Sequence, residues 1–483
     1  MTHLSRRRFL EETMLSATAA ALAGGAPAKL LADEPKQSSS PNERLSVAVI
    51  GVNGQGNSHL AAYSTRKDTE VTYVCDADSD VGAKRAAETG ERQGRTPKYA
   101  RDLREVFDDP SVDCVSTATP NHWHALVSIW AMRQGKDVYV EKPVSHNVSE
   151  GRRMVETARK YQRICQTGTQ CRSMPGTIQA IEYVKAGKIG QVKVARGLCY
   201  KSRTSIGPKG EYPVPAGVDY NLWLGPAPLH ASHRRKFHYD WHWFWDYGCG
   251  DLGNQGIHQM DIARWGLGVD TLSKGVLSYG GRLGYEDAGE TANTQTIIHD
   301  YGDKSLVFEV RGLPTDALRG ATVGVIFEGS EGYVVLTSYN KGAAFDLDGK
   351  MVAVFEGVGD HFGNFLDAVR SRRHEDLRAD IEQGHLSSAL CHLGNISYRL
   401  GSPVAMAEVT ARLGERYHAA EDFERFVKHL ADNNVPADTT KIQFGEPLVI
   451  DPATETCVGN ERANAMLTRE YRPPFVVPAA GQV

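Results

Sequence analysis

The sequence predicts an α/β protein whose N-terminal part is a doubly wound parallel sheet covered by helices on both faces. Three observations predict it. The stretch LSVAVIGVNGQGNSHLAAY (45–63) passes from a continuous apolar run through a glycine-rich break into helix-like spacing. A second apolar run, EVTYVCDAD (70–78), reaches Asp76 twenty residues after Gly56. Two more, VDCVSTATP (112–120) and DVYVEKP (137–143), flank HALVSIWAMRQG, which reads as a crossover helix. Apolar strands alternating with helices bury both faces of a sheet, the pattern of parallel pairing.

Ahead of the first strand, SRRRFL (Ser5 to Leu10) leads into the weakly apolar MLSATAAALAGGAPA, with an A-x-A end at Ala26 to Ala28. A basic segment, a short apolar segment and a small-residue cleavage pattern make an export signal. Ser-Arg-Arg-x-Phe-Leu and the Ala/Gly-rich apolar stretch match the twin-arginine type, a route for folded proteins. Residues 1–32 are therefore read as signal peptide, 33–44 (DEPKQSSSPNER) as a polar linker, and the mature protein as periplasmic. No apolar run approaches the ~20 residues that span a bilayer, so no membrane partner is expected for the mature form. A net charge of −4 argues against a nucleic-acid partner. The eight cysteines form no C-x-x-C pair. Cys75 and Cys114 read as buried strand thiols, and a Cys165–Cys171 disulfide stays open.

Gly51 supplies a tight turn after the first strand, and Gly56 allows the next helix to pack close. With Asn53, Gly54 and Gln55 between them, backbone N–H groups at the helix start can face a pyrophosphate. Asn53 stands where a second glycine is expected, and an isolated Asn-Gly could equally turn a hairpin. The strand ending on Asp76 decides for a dinucleotide site. An acid there accepts hydrogen bonds from both ribose hydroxyls and repels a 2′-phosphate, predicting NAD over NADP. Lys142 falls where a strand's carboxyl end reaches the ligand crevice of such a sheet. Its ammonium can hydrogen-bond a substrate hydroxyl, with burial and the nicotinamide charge lowering its pKa. The alternative is a surface lysine paired with Glu141.

At ATPNHWH (118–124) and EKPVS (141–145) the sequence resembles the glucose–fructose oxidoreductase, inositol dehydrogenase and MocA family. The resemblance continues through GDLGNQGIHQMDIARWGLG (250–268), HFGNFLDAVRSR (361–372) and NERANAMLTREYRPPFVVP (460–478). It implies a Rossmann domain at 45–168 and an α+β domain with a mostly antiparallel sheet at 169–410. The second sheet would wall the active site and join subunits of a homo-oligomer, with 411–483 packing back on the body. The activity implied is that of an NAD-dependent oxidoreductase, with Thr119, Pro120, Asn121, His124, Glu141, Lys142 and Gln170 added to the cofactor contacts. Lys142, joined to Pro143 by a cis bond, and His258 become the catalytic residues. Family members often pair that histidine with an acid in a D-x-x-x-H pattern, and here Asn254 holds the acid's place. Spacing of four keeps Asn254 and His258 on one helical face. Proton transfer then falls to Lys142 and His258 together, or to Asp251, Tyr247 or His242.

Just before that helix, FHYDWHWFWDY (237–247) holds seven aromatic rings in eleven residues. Such a run packs a core or faces the C–H surfaces of a sugar, and both roles are expected here. Arg172, Trp241, His242, Trp243, Asp251, Asn254 and His258 are the expected substrate contacts. His230, His233, His238 and His242 lack the tight ligand-and-base context of a zinc site, and no metal is assigned. Three functions fit: hydride transfer on a sugar or cyclitol, redox-neutral glycoside cleavage through transient oxidation, or a non-catalytic nucleotide- or sugar-binding scaffold.

Overall fold

The computed structural model describes residues 44–414 and 419–483. The signal-peptide reading of 1–32, and all of the linker except Arg44, lie outside the described residues. Strands β1 (Leu45–Ile50), β2 (Thr69–Cys75), β3 (Lys98–Ala100), β4 (Cys114–Thr117), β5 (Asp137–Val140) and β6 (Cys165–Thr167) form a parallel sheet. Their order is β3-β2-β1-β4-β5-β6. Val47 and Val49 of β1 share a core with Leu60 of the helix Gly56–Ser64 and Phe365 of the helix His361–Ser371. Ala48 and Ile50 belong to a second core with Leu126 and Ile129 of the helix Asn121–Arg133. Both faces are dry, which is why the strands read as continuous apolar runs. Strand order reverses between β1 and β4, and a crevice opens beyond the carboxyl ends of strands at such a point.

Further along lie β7 (Val192–Tyr200), β8 (Gly275–Gly281), β9 (Thr294–Asp300), β10 (Ser305–Arg311) and β11 (Val323–Gly329). These are followed by β12 (Gly332–Leu336), β13 (Lys341–Asp346), β14 (Met351–Glu356), β15 (Ser402–Ala405), β16 (Lys441–Phe444) and β17 (Leu448–Asp451). They build a second sheet in the order β14-β13-β12-β11-β7-β10-β9-β8-β16-β15, with β17 also on β8. Pairing is antiparallel except between β7 and β10. One face of β7 and β10 presents Ala195, Leu306 and Phe308, which share a core with Met260 of the helix Gly256–Leu267 and Leu390 of the helix Ile381–Leu400. The other face carries buried charge. Arg196 lies 3.1 Å from Glu309 and 2.6 Å from Asp422 of the helix Ala419–Asp432, and Arg425 closes the ring.

The C-terminal stretch joins both bodies: β16 and β17 extend the second sheet, while Phe475 and Val477 enter a core of the first. Cys165 and Cys171 are both free and buried, which rules out the disulfide left open above. They belong to different cores, Cys165 beneath the first sheet and Cys171 beneath the second. Among the described residues, no helix is long and apolar enough to cross a membrane.

Candidate active site

The turns after β1, β2 and β4 build one half of the site. Gly51 has φ +79°, and a Cβ there would sit 2.7 Å from Thr119 N. A Cβ on Gly56 would come within 1.9 Å of Gly51 O, so only glycine lets the helix begin this close to its strand. By contrast, a Cβ on Gly54 would meet nothing within 4 Å, which leaves that edge of the turn open. The helix start has no side-chain cap and no acid in its first turn, so its positive end is left for a phosphate. After β2, Asp76 accepts Val52 N–H at 2.8 Å on Oδ2 and Asp78 N–H at 3.0 Å on Oδ1. These bonds fix the carboxylate and leave a lone pair on each oxygen for a ribose hydroxyl. The cradle fits a dinucleotide.

A cavity of about 500 Å³ opens here. Gly51, Asn53, Gly54, Gln55 and Asp76 line it from the first two strands, and Thr119, Pro120, Asn121 and His124 from beyond β4. Glu141 and Lys142 follow β5 into its wall, and Gln170 enters from beyond β6. Gly56 lies behind the lining. The second body contributes Trp241, His242, Asn254 and His258.

Three expected substrate contacts do not reach the cavity. Arg172 donates to both oxygens of buried Asp261, at 2.7 and 2.9 Å, and serves the packing between helices. Asp251, 1% exposed, accepts two bonds from Arg203 at 3.0 and 2.6 Å. Trp243, 5% exposed, lies beneath that same guanidinium. In their place stand Lys201, Arg203, Tyr239, Gln255 and Tyr339, which the sequence reading left out. The basic pair after β7 was visible as KSR, whereas Tyr339 sits in the ordinary turn between β12 and β13 and gave no signal.

Lys142 is joined to Pro143 by a cis bond and donates from Nζ to Asn254 O at 3.0 Å. Burial holds its pKa below that of an ordinary lysine, with Glu141 pulling the other way. Glu141 itself meets His59 Nε2 at 3.1 Å, and His59 Nδ1 meets Ser116 Oγ at 2.9 Å. Burial would raise the Glu141 carboxyl, but the bond to His59 and the charge of Lys142 prevail and hold it at about 2. His258, whose ring packs 4.9 Å from that of Tyr339, is pushed down to about 3 by burial and then by Lys142. His242 is likewise pushed to about 3 by burial, with Lys142 among the charges acting on it. Both imidazoles are therefore uncharged at neutral pH. A lysine of depressed pKa that shares a cavity with two neutral imidazoles can move protons in either direction.

Residues 217–243 lie across the nucleotide crevice. Val218 bridges Asp78, Asp219 N donates to Ala77 O at 2.8 Å, and Trp123 Nε1 donates to Trp223 O at 3.0 Å. His238 Nε2 meets Asp78 Oδ2 at 3.0 Å. Within the aromatic run, Phe237, Phe244 and Tyr247 pack with Trp223 in a core around the buried Arg234, while Tyr239 and Trp241 line the cavity. The clustered histidines disperse: His230 meets Asp246, His233 meets Gly210 O and His242 meets Tyr239 O. Among the described residues, no group of three or more metal-ligating side chains converges.

Comparison with known proteins agrees with this geometry. Residues 45–169 match the oxidoreductase family's NAD-binding Rossmann fold, and 198–433 match its C-terminal alpha/beta domain. Levoglucosan dehydrogenase of Pseudarthrobacter phenanthrenivorans is 26% identical over 240 residues, covering 49% of this chain and 54% of the relative. A glycosyl hydrolase family 109 protein of Saccharopolyspora erythraea is 31% identical over 160 residues, covering 32% and 35%. The chain thus spans about half or less of these curated relatives. Among solved structures, the WlbA dehydrogenase of Chromobacterium violaceum, in complex with NADH and UDP-GlcNAcA, superposes with a TM-score of 0.56 at 18% identity. That match covers 74% of this chain and 94% of the other. GenD2 from gentamicin A biosynthesis, in complex with NAD, gives 0.53 at 19% identity, covering 76% and 95%. A glycine cradle at the strand-order reversal, Asp76 after β2 and the two matched domains lead to one assignment: the chain belongs to the Gfo/Idh/MocA oxidoreductase family and carries its NAD-binding domain.

Proposed function

We propose that the protein oxidises or reduces a ring carbon of a carbohydrate, using NAD kept in the crevice between turnovers. The observation that carries this is the junction at Lys142, where the nucleotide cradle meets a wall of Trp241, His242 and Tyr339. When bound, the nicotinamide ring supplies the hydride acceptor and donor. Lys142 takes the proton of the reacting hydroxyl, and uncharged His258 shares it. Trp241, stacked on His242 at 3.7 Å between ring centroids, offers a flat surface to the C–H face of a sugar. The names of the relatives, a levoglucosan dehydrogenase and glycosyl hydrolase family 109 proteins, support a carbohydrate substrate. Retention is supported by residues 217–243, which would have to lift from Asp78 and Trp123 before a nucleotide could leave. Export by the twin-arginine route, supported by Ser5 to Leu10, fits a cofactor loaded before transport. Exposed Leu347, Met351, Val352 and Val354 on the β13–β14 hairpin support self-association through the second sheet.

A second reading is redox-neutral glycoside cleavage, favoured by a cavity with more proton-transfer groups than a single oxidation needs. The first test is to denature the purified protein and quantify released NAD(H) by chromatography. Close to one equivalent per chain is expected, together with reduction of the bound nucleotide by at least one sugar or glycoside. An empty crevice overturns retention, and a loaded protein inert to every sugar overturns the carbohydrate reading.

A further inference from the structure

Two side chains of the cavity have a hydrogen-bond polarity that their neighbours fix. His242 Nδ1 meets Tyr239 O at 2.5 Å. A carbonyl only accepts, so Nδ1 carries the hydrogen and the neutral ring keeps its lone pair on Nε2. The ring is held by its stack on Trp241 and lines the cavity. On the other side, Lys201 Nζ donates to Gln255 Oε1 at 3.3 Å, and Gln255 Nε2 donates to Tyr339 OH at 2.7 Å. An ammonium only donates, so it fixes the amide's orientation. The amide hydrogen then occupies the phenol as acceptor, and the Tyr339 hydrogen must point elsewhere. Burial pushes the phenol up to about 12, so it stays protonated. Lys201, Gln255, Tyr339 and His242 all line one cavity with Lys142 and His258. Hydride transfer from a carbinol needs one proton acceptor, and Lys142 with His258 meets that need. An oriented acceptor and an oriented donor remain.

We propose that His242 is a catalytic base and Tyr339 a catalytic acid for eliminating a group from the sugar. This rests on the second reading above. The substrate for the step is a ring ketone, formed by loss of hydride to a nicotinamide nucleotide. His242 Nε2 takes the proton from the carbon next to the carbonyl. The C–H electron pair becomes a C=C bond as the C–O bond on the following carbon breaks, and the departing oxygen takes the Tyr339 proton. The phenolate left behind is stabilised by the Gln255 amide and the Lys201 charge behind it. Addition of water by the reverse steps restores both groups.

The test uses the NAD-loaded protein with p-nitrophenyl and methyl glycosides in D₂O. Wild type is expected to reduce its nucleotide transiently, incorporate deuterium beside the oxidised carbon and release the aglycone. His242→Gln is expected to lose deuterium incorporation by about 10²- to 10⁴-fold, the usual range for a general base, and to lose far less of single-turnover nucleotide reduction. Tyr339→Phe is expected to slow methyl glycosides about 100-fold more than p-nitrophenyl glycosides, whose leaving group needs no acid. Independently of turnover, long-range ¹⁵N NMR of histidine-labelled protein should show His242 neutral with hydrogen on Nδ1. An Nε2–H tautomer, equal loss of hydride transfer and exchange in His242→Gln, or equal loss on both glycoside classes in Tyr339→Phe overturns the assignment. Wild type that reduces its nucleotide but incorporates no deuterium removes the elimination and leaves hydride transfer standing. Wild type that reduces nothing removes both.

Discussion

At the residue scale the site depends on what surrounds Lys142. Its ammonium has one carbonyl partner, Asn254 O, and the nearby carboxylate of Glu141 is already committed to His59. Removing the ammonium while keeping the stem's volume therefore deletes the proposed proton carrier without opening the wall. Lys142→Met should lower kcat by about 10²- to 10⁴-fold and leave nucleotide content and the unfolding midpoint unchanged. Rapid-mixing kinetics and a nucleotide assay on the same sample check it, and unchanged turnover would take catalysis away from this position. That Lys142 and Asp76 line the crevice was legible because a strand end places them by chain position alone. Arg172 was misread for the opposite reason: its salt bridge to Asp261, 89 residues away, is visible only after the helices pack. Tyr339 reaches the cavity on a hairpin turn, and nothing local marks a turn as facing a site.

Elements show where sequence reading is strongest and where it stops. The turn from β1 into the helix Gly56–Ser64 is specified locally, and its two glycines predict opposite outcomes. At Gly56 an added methyl collides with the main chain of Gly51, so Gly56→Ala must displace the helix. A loss of about 1–3 kcal/mol is expected by urea titration, with loss of bound nucleotide. At Gly54 the space is open and φ is not positive, so Gly54→Ala should stay within about 0.5 kcal/mol of wild type and keep its nucleotide. Equal behaviour of the two variants would mean that the cradle is not built on close backbone approach. The segment 217–243 was legible only as a cluster of rings. Which rings enter the core and which face the cavity depends on contacts to Asp78, which caps the helix Ser79–Gln93, and to Trp123 in the helix Asn121–Arg133, both far away in sequence.

The whole molecule is tied at several points. The helix His361–Ser371 packs on the first sheet, β16 and β17 extend the second, and the Phe475 ring lies 5.4 Å, centroid to centroid, from that of Trp123 in a core of the first sheet. Such interlocking predicts one unfolding transition, whose pH dependence is set by buried imidazoles in both bodies. His122, His258 and His299 are pushed to about 3, and His361 and His392 to about 4, each chiefly by burial. An unfolded histidine titrates near 6.5, so below that value the unfolded chain binds protons that the folded chain refuses. Stability from these groups is complete above about pH 6.5 and is lost as pH falls towards 4. Glu150 works against this, because burial raises its carboxyl to about 7 and the folded state there binds the extra proton. Glu150 is set against these five imidazoles and His242 besides, so the net slope keeps the imidazoles' sign. The urea midpoint should fall steadily from about pH 7 to pH 5 as a single transition in fluorescence and circular dichroism. A midpoint that holds or rises over that range would mean that these histidines are charged in the fold. Two separated transitions would mean that the C-terminal stretch does not couple the sheets.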